Sequence, residues 1–160
     1  IKVGAATEAE TKYLKLKVED AVAATKAAQE EGIVPGGGVA LIKVLGLLSV
    51  PLDMPEDEKV GFMVVLKAIE APLKQIAQNC GVGDGSSVVE RVMGTTGLPN
   101  AGYDALLGGY VDDMVASGIV DPTKVVRCAV ENAASSAGTF LTTEVAIATV
   151  QEKQQNMPMM

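Results

Sequence analysis

Between Thr7 and Gly32 the chain runs without a single glycine or proline, and no other feature limits its folding choices so much. Thr7-Glu8-Ala9-Glu10 has the Thr-x-x-Glu form of a capping box, in which each side chain satisfies the other residue's free backbone N–H. Leu14, Val18, Ala21, Val22, Thr25 and Ala28 recur at helical spacing, and Gly32 supplies the stop. About 24 residues rising about 1.5 Å each make a rod of roughly 36 Å. A rod that long in a chain of 160 residues reads as a connection between two parts of a larger body. Ahead of it, Ile1 to Ala5 is short and apolar, opens as if in mid-strand, and predicts a strand end.

The remaining punctuation predicts more helices. Pro35-Gly36-Gly37-Gly38 opens directly into Val39–Leu45, a glycine turn feeding a helix. Past a turn at Pro51 to Pro55, Glu56-Asp57-Glu58 places acids in a first helical turn, where they favour the positive end of the dipole. Val60, Met63, Val64, Leu66, Lys67 and Ile69 carry that helix to Ala71, and Pro72 starts a further one ending at Cys80-Gly81. Ser86 to Met93 reads as a short helix, Gly94 to Gly102 as turns, and Tyr103 to Gly118 as helix-like. Asp121-Pro122 has the form of an N-cap followed by proline at the first helical position. Val126, Ala129, Ala133, Ala137 and Phe140 form the apolar face of the helix it would start. Thr142 to Val150 is β-branched enough to predict a closing strand, and 151–160 a mobile tail. The expected fold class is mainly α, multihelical, with short β pieces.

Composition removes several chemistries. Histidine is absent, so Ser-His and Cys-His schemes and most zinc sites are excluded. Thirteen Lys+Arg against twenty Asp+Glu leave a net charge of −7 without a basic run, which speaks against a nucleic-acid partner. No apolar stretch reaches the roughly 18–20 residues of a membrane span. Cys80 and Cys128 form neither a framework nor a CxxC pair, so a reducing, cytoplasmic compartment is expected, with both as buried small hydrophobes.

Four candidates remain, each with a plain structural reading beside it. The Gly36–Gly38 bend either lets a ligand approach the backbone or makes a tight turn needing positive φ. Asp20, within the long helix, either presents a carboxylate to a water or is a solvated acid beside Glu19. Asp121 either accepts from sugar hydroxyls or only caps a helix. Gly83-Asp84-Gly85-Ser86-Ser87 suggests a phosphate and Mg²⁺ loop, yet it lacks a lysine, and Ser86 or Ser87 serves as a helix cap.

In this order these residues resemble the C-terminal part of a group I chaperonin, the GroEL-type ring chaperones. The resemblance runs through Ile1–Glu8, Val18–Ala21, Glu30–Leu41, Glu70–Ile76, Gly102–Ala105, Asp121–Val125 and Thr142–Glu144, nearly the whole chain. Gly32–Leu41 and Asp121–Val125 are its specific blocks. It implies an ATP-driven folding machine of two stacked seven-membered rings, with residues 1–31 in the intermediate domain and 32–150 in the second half of the equatorial ATP-binding domain. By the same resemblance, Asp20 matches the aspartate that orients the attacking water, and Gly37 a nucleotide-contacting glycine. Asp104, Ala105 and Leu106 match the segment lining the adenine, and Asp121 the acid on the ribose. Asp104 and Leu106 depart from the family pattern, which has Asn and Ala there. ATP or ADP and Mg²⁺ are the implied cofactors, with the Mg²⁺ ligands, the phosphate loop and the apical domain for co-chaperonin and unfolded clients in the N-terminal half. The 160 residues alone are expected to be inactive. The alternative is a structural ring-assembly module without its own nucleotide site.

Overall fold

The computed structural model describes residues 1–149; the tail 151–160 and Val150 lie outside the described residues. The order is α1 (Glu8–Glu31), β1 (Ile33–Pro35), α2 (Val39–Leu45), α3 (Glu56–Ile69), α4 (Ala71–Asn79), α5 (Ser86–Gly94), β2 (Gly102–Asp104), β3 (Gly109–Val111), β4 (Val120–Pro122) and α6 (Thr123–Leu141). The mainly α reading therefore holds. No helix among the described residues is long and apolar enough to cross a membrane.

The rod forms as its punctuation dictates. Thr7 Oγ1 accepts the Glu10 amide at 3.2 Å, one half of the expected capping box. Gly32, at φ +80°, returns its N–H to the Ala28 carbonyl at 2.8 Å and releases the chain into β1. No residue of α1 is buried. The rod is fastened at its C-terminal end instead. Lys124 bonds Glu30, and Arg127 bonds Glu31 at 2.6 Å while also holding Glu131 at 2.9 Å. Arg127 holds the Glu31 carboxyl below its ordinary value, chiefly by hydrogen bonding.

The core lies between α2, α4 and α5. Val39, Ile42, Leu73, Val88, Val92 and Met114 are all but fully buried there. Gly102 lets β2 press on this core, because a Cβ at that position would lie 2.5 Å from Val39 Cγ2 and 2.7 Å from Met114 Cγ. Lys43 ties α2 to α5: its ammonium donates to the carbonyls of Val92 at 3.0 Å and Thr95 at 3.2 Å, and to Thr95 Oγ1 at 2.6 Å. A cation at that end complements the negative pole of α5. Burial pushes this lysine's pKa down.

Several expectations are corrected. Ile1–Ala5 forms no strand, having no partner strand among the described residues. The helix expected over 103–118 is replaced by the antiparallel β2–β3 hairpin, because Gly108 at φ +65° reverses the chain and Tyr103 pairs with Tyr110. Asp121 caps no helix, since it lies in β4 opposite Val34 of β1 and α6 starts only at Thr123. Residues 142–149 carry no strand, again for want of a partner. Cys80 is exposed and Cys128 only partly covered, so neither is the buried hydrophobe expected. At α5 it is Asp84, not a serine, that binds the free end, accepting from the Ser86 amide and hydroxyl, each at 3.0 Å. That work accounts for Asp84 without a phosphate.

Candidate functional site

The β1–β4 pairing brings the glycine bend and the segment of Asp121 together from distant parts of the sequence. Gly36 donates its N–H to the Ile119 carbonyl at 2.9 Å. A side chain on Gly36 would meet the Val120 backbone at 3.0 Å, so this glycine serves the close approach of the two segments. Gly37 differs. A Cβ there would touch only Met114 Cε at an ordinary 3.5 Å, and what demands glycine is φ +66°. Asp121 is half-buried, and burial pushes its pKa up while the Gly37 amide pulls it back in part.

The β2–β3 hairpin carries the other expected contacts. Asp104 is 8% exposed, and its Oδ1 accepts the amides of Leu106 at 2.8 Å and Leu107 at 3.2 Å. Its carboxylate is thus engaged in shaping the tip. Ala105 is exposed there, accepting the Cys80 thiol on its carbonyl at 3.6 Å. Leu106 is 93% exposed. Met114 lies against both Gly37 and Gly102, so the start of the hairpin and the glycine bend share one neighbour. Nothing in the spacing singled out Met114, because its importance arises only once 37, 102 and 114 meet.

Asp20 is exposed on α1, eleven residues before Glu31, which is about 16 Å along the helix axis from the clamped end. The structure sets the glycine bend beside the strand of Asp121 through the β1–β4 pairing, places Asp104, Ala105 and Leu106 on the β2–β3 hairpin, and carries Asp20 on the rod. The clamp residues Glu30, Glu31, Lys124 and Arg127, which hold that rod, were not singled out either. Their pairing across more than ninety residues leaves no local signature.

A glycine bend without side-chain bulk and an acceptor carboxyl suit the hydroxyls of a sugar. Among the described residues no three or more His, Cys, Asp or Glu gather to hold a metal ion. Three surface hollows lie elsewhere. One of about 740 Å³ lies over α3 and is lined by Leu45, Met63 and Leu66, and one of about 550 Å³ runs along α1. The third, about 430 Å³, is an apolar groove between α3 and α6 lined by Leu41, Val65, Ile69 and Ala133.

Residues 1–151 match the model of the TCP-1/cpn60 chaperonin family. Among solved structures, a group III chaperonin crystallised in the open state superposes with a TM-score of 0.72 at 28% sequence identity. The superposition covers 91% of this chain and 30% of the other, so the chain spans less than a third of that relative's length.

Proposed function

Since the chain belongs to the TCP-1/cpn60 chaperonin family, we propose that it forms the sugar and base wall of an ATP pocket in a ring chaperonin that couples hydrolysis to protein refolding. The observation that carries this reading is the β1–β4 pairing, which sets the glycine bend alongside the strand that bears the half-buried carboxyl of Asp121. Asp121 would accept from the ribose hydroxyls, and Gly37 would let the nucleotide reach the backbone. Ala105 and Leu106 would lie along the adenine, with Asp104 shaping their turn. Asp20 would orient the water that attacks the terminal phosphate. Phosphoryl transfer depends on positioning and on neutralising the charge of the phosphates, which bound Mg²⁺ supplies. Among the described residues no acidic cluster gathers to hold a metal ion, and by the family resemblance the phosphate loop and the Mg²⁺ ligands would come from the N-terminal half of a full-length subunit.

The group I reading, with two seven-membered rings, a co-chaperonin, unfolded client proteins and a cytoplasmic location, rests on the resemblance of the Gly32–Leu41 and Asp121–Val125 blocks. A purely structural assembly role draws support from one feature, the open apolar groove between α3 and α6.

Calorimetric titration of the purified chain with ADP separates the two. The nucleotide reading expects saturable binding that falls about 10- to 100-fold in Asp121→Asn, the range for losing hydrogen bonds to a charged acceptor. Binding that ignores the substitution, or none at millimolar ADP, favours the scaffold. The chain alone is expected to release no phosphate from ATP.

A further inference from the structure

The geometry points to Arg91 as a positioning residue that fixes the β2–β3 hairpin, and with it the Ala105–Leu106 tip, against the rest of the nucleotide wall. This deepens the nucleotide reading above and rests on it. Arg91 lies on α5, and its guanidinium carbon sits 3.9 Å from the centroid of the Tyr110 ring. Tyr110 meets Tyr103 edge-on, with centroids 5.4 Å apart and planes at 67°. The register places these two tyrosines directly opposite each other, so their side chains share one face of the hairpin. Tyr103 is 4% exposed and Tyr110 is 38% exposed. The pair is therefore anchored in the core at one end and open at the other, and the open end is where Arg91 lies.

The stack joins two parts of the wall. Lys43 of α2, the helix that follows the glycine bend, grips the carbonyls at the C-terminal end of α5. From Gly37 the mechanical path runs through α2 and Lys43 to α5, then through Arg91 to Tyr110 and the hairpin. At the tip, Asp104 bonds both Leu106 and Leu107, so the loop moves with its strands rather than independently. On the opposite face, Gly102 is pressed against Val39 and Met114. The hairpin is thus gripped from two sides, and Arg91 is the grip that a single substitution removes without opening the core.

The test uses the full chain, labelled for NMR, as wild type, Arg91→Met and Arg91→Lys. Without ligand, Arg91→Met is expected to speed amide exchange at Gly109–Val111 about two- to fivefold, the range for an exposed cation–π contact. Exchange in α2 and α5 stays unchanged, and Arg91→Lys, which keeps a cation over the ring, lies between the two. With ADP, wild-type amides of Gly37, Asp121, Ala105 and Leu106 shift together. In Arg91→Met, Gly37 and Asp121 still shift, the tip shifts shrink, and affinity falls by the same factor. Arg91→Met behaving as wild type in both experiments overturns the role of Arg91 and leaves the nucleotide site standing. Wild type showing no ADP-dependent shift at Gly37 and Asp121 overturns the nucleotide reading itself, and this proposal with it, whatever the exchange rates show.

Discussion

Asp121 carries two opposed effects in one side chain. Burial disfavours its charge, and the Gly37 amide partly compensates. A carboxyl whose folded pKa lies above the ordinary 3.8 contributes stability that is fully present below that value and lost as the pH rises through the folded pKa. Asn at 121 has no charge to bury. Thermal unfolding should therefore show Asp121→Asn more stable than wild type near neutral pH, with the gain vanishing below pH 3.8. A variant that is more stable but binds ADP worse identifies a residue kept for its ligand. Loss of stability at neutral pH would mean that the charge is structural.

At the scale of elements, ion pairs fasten α1 to α6, and no residue of α1 is fully buried. Glu31, lowered by Arg127 from its ordinary 4.5, contributes stability above that value that is lost as the pH falls through its folded pKa. Protection factors in the last turn of α1, which correct for the intrinsic pH dependence of amide exchange, should fall on acidification through this range and in about 1 M salt, where screening is strong. Glu31→Gln should show the lowered protection already at neutral pH, with no further fall on acidification. Protection indifferent to both would assign the fastening to packing. The same elements show what could be read in advance. Thr7, Gly32, Pro55 and Pro72 punctuate helices locally, so α1, α3 and α4 were legible in the order of residues. The hairpin was not, because strands of three residues are too short to display alternation, and Tyr103 becomes a strand residue only when Tyr110 lies opposite. Asp121-Pro122 carried a true helix-start signal one residue early, and pairing with Val34, far away in sequence, drew Asp121 into β4.

For the whole molecule, the resemblance of sequence blocks identified the family and named Gly37 and Asp121, whereas their meeting could not be read from spacing. It depends on β1 finding β4 across most of the chain. Asp20 belongs to this scale as well, since the rod that bears it holds to the rest by its far end. In an assembled chaperonin containing this chain, Asp20→Ala is expected to leave nucleotide affinity within about twofold and to lower turnover by about 10²–10⁴, the range for losing a positioned base. Equal loss of both would make Asp20 structural. The most direct measurement is a crystal structure of this chain soaked with ADP. The account predicts a ribose hydroxyl within hydrogen-bonding distance of the Asp121 carboxyl and the sugar against Gly37. An ordered nucleotide anywhere else on the surface would contradict it.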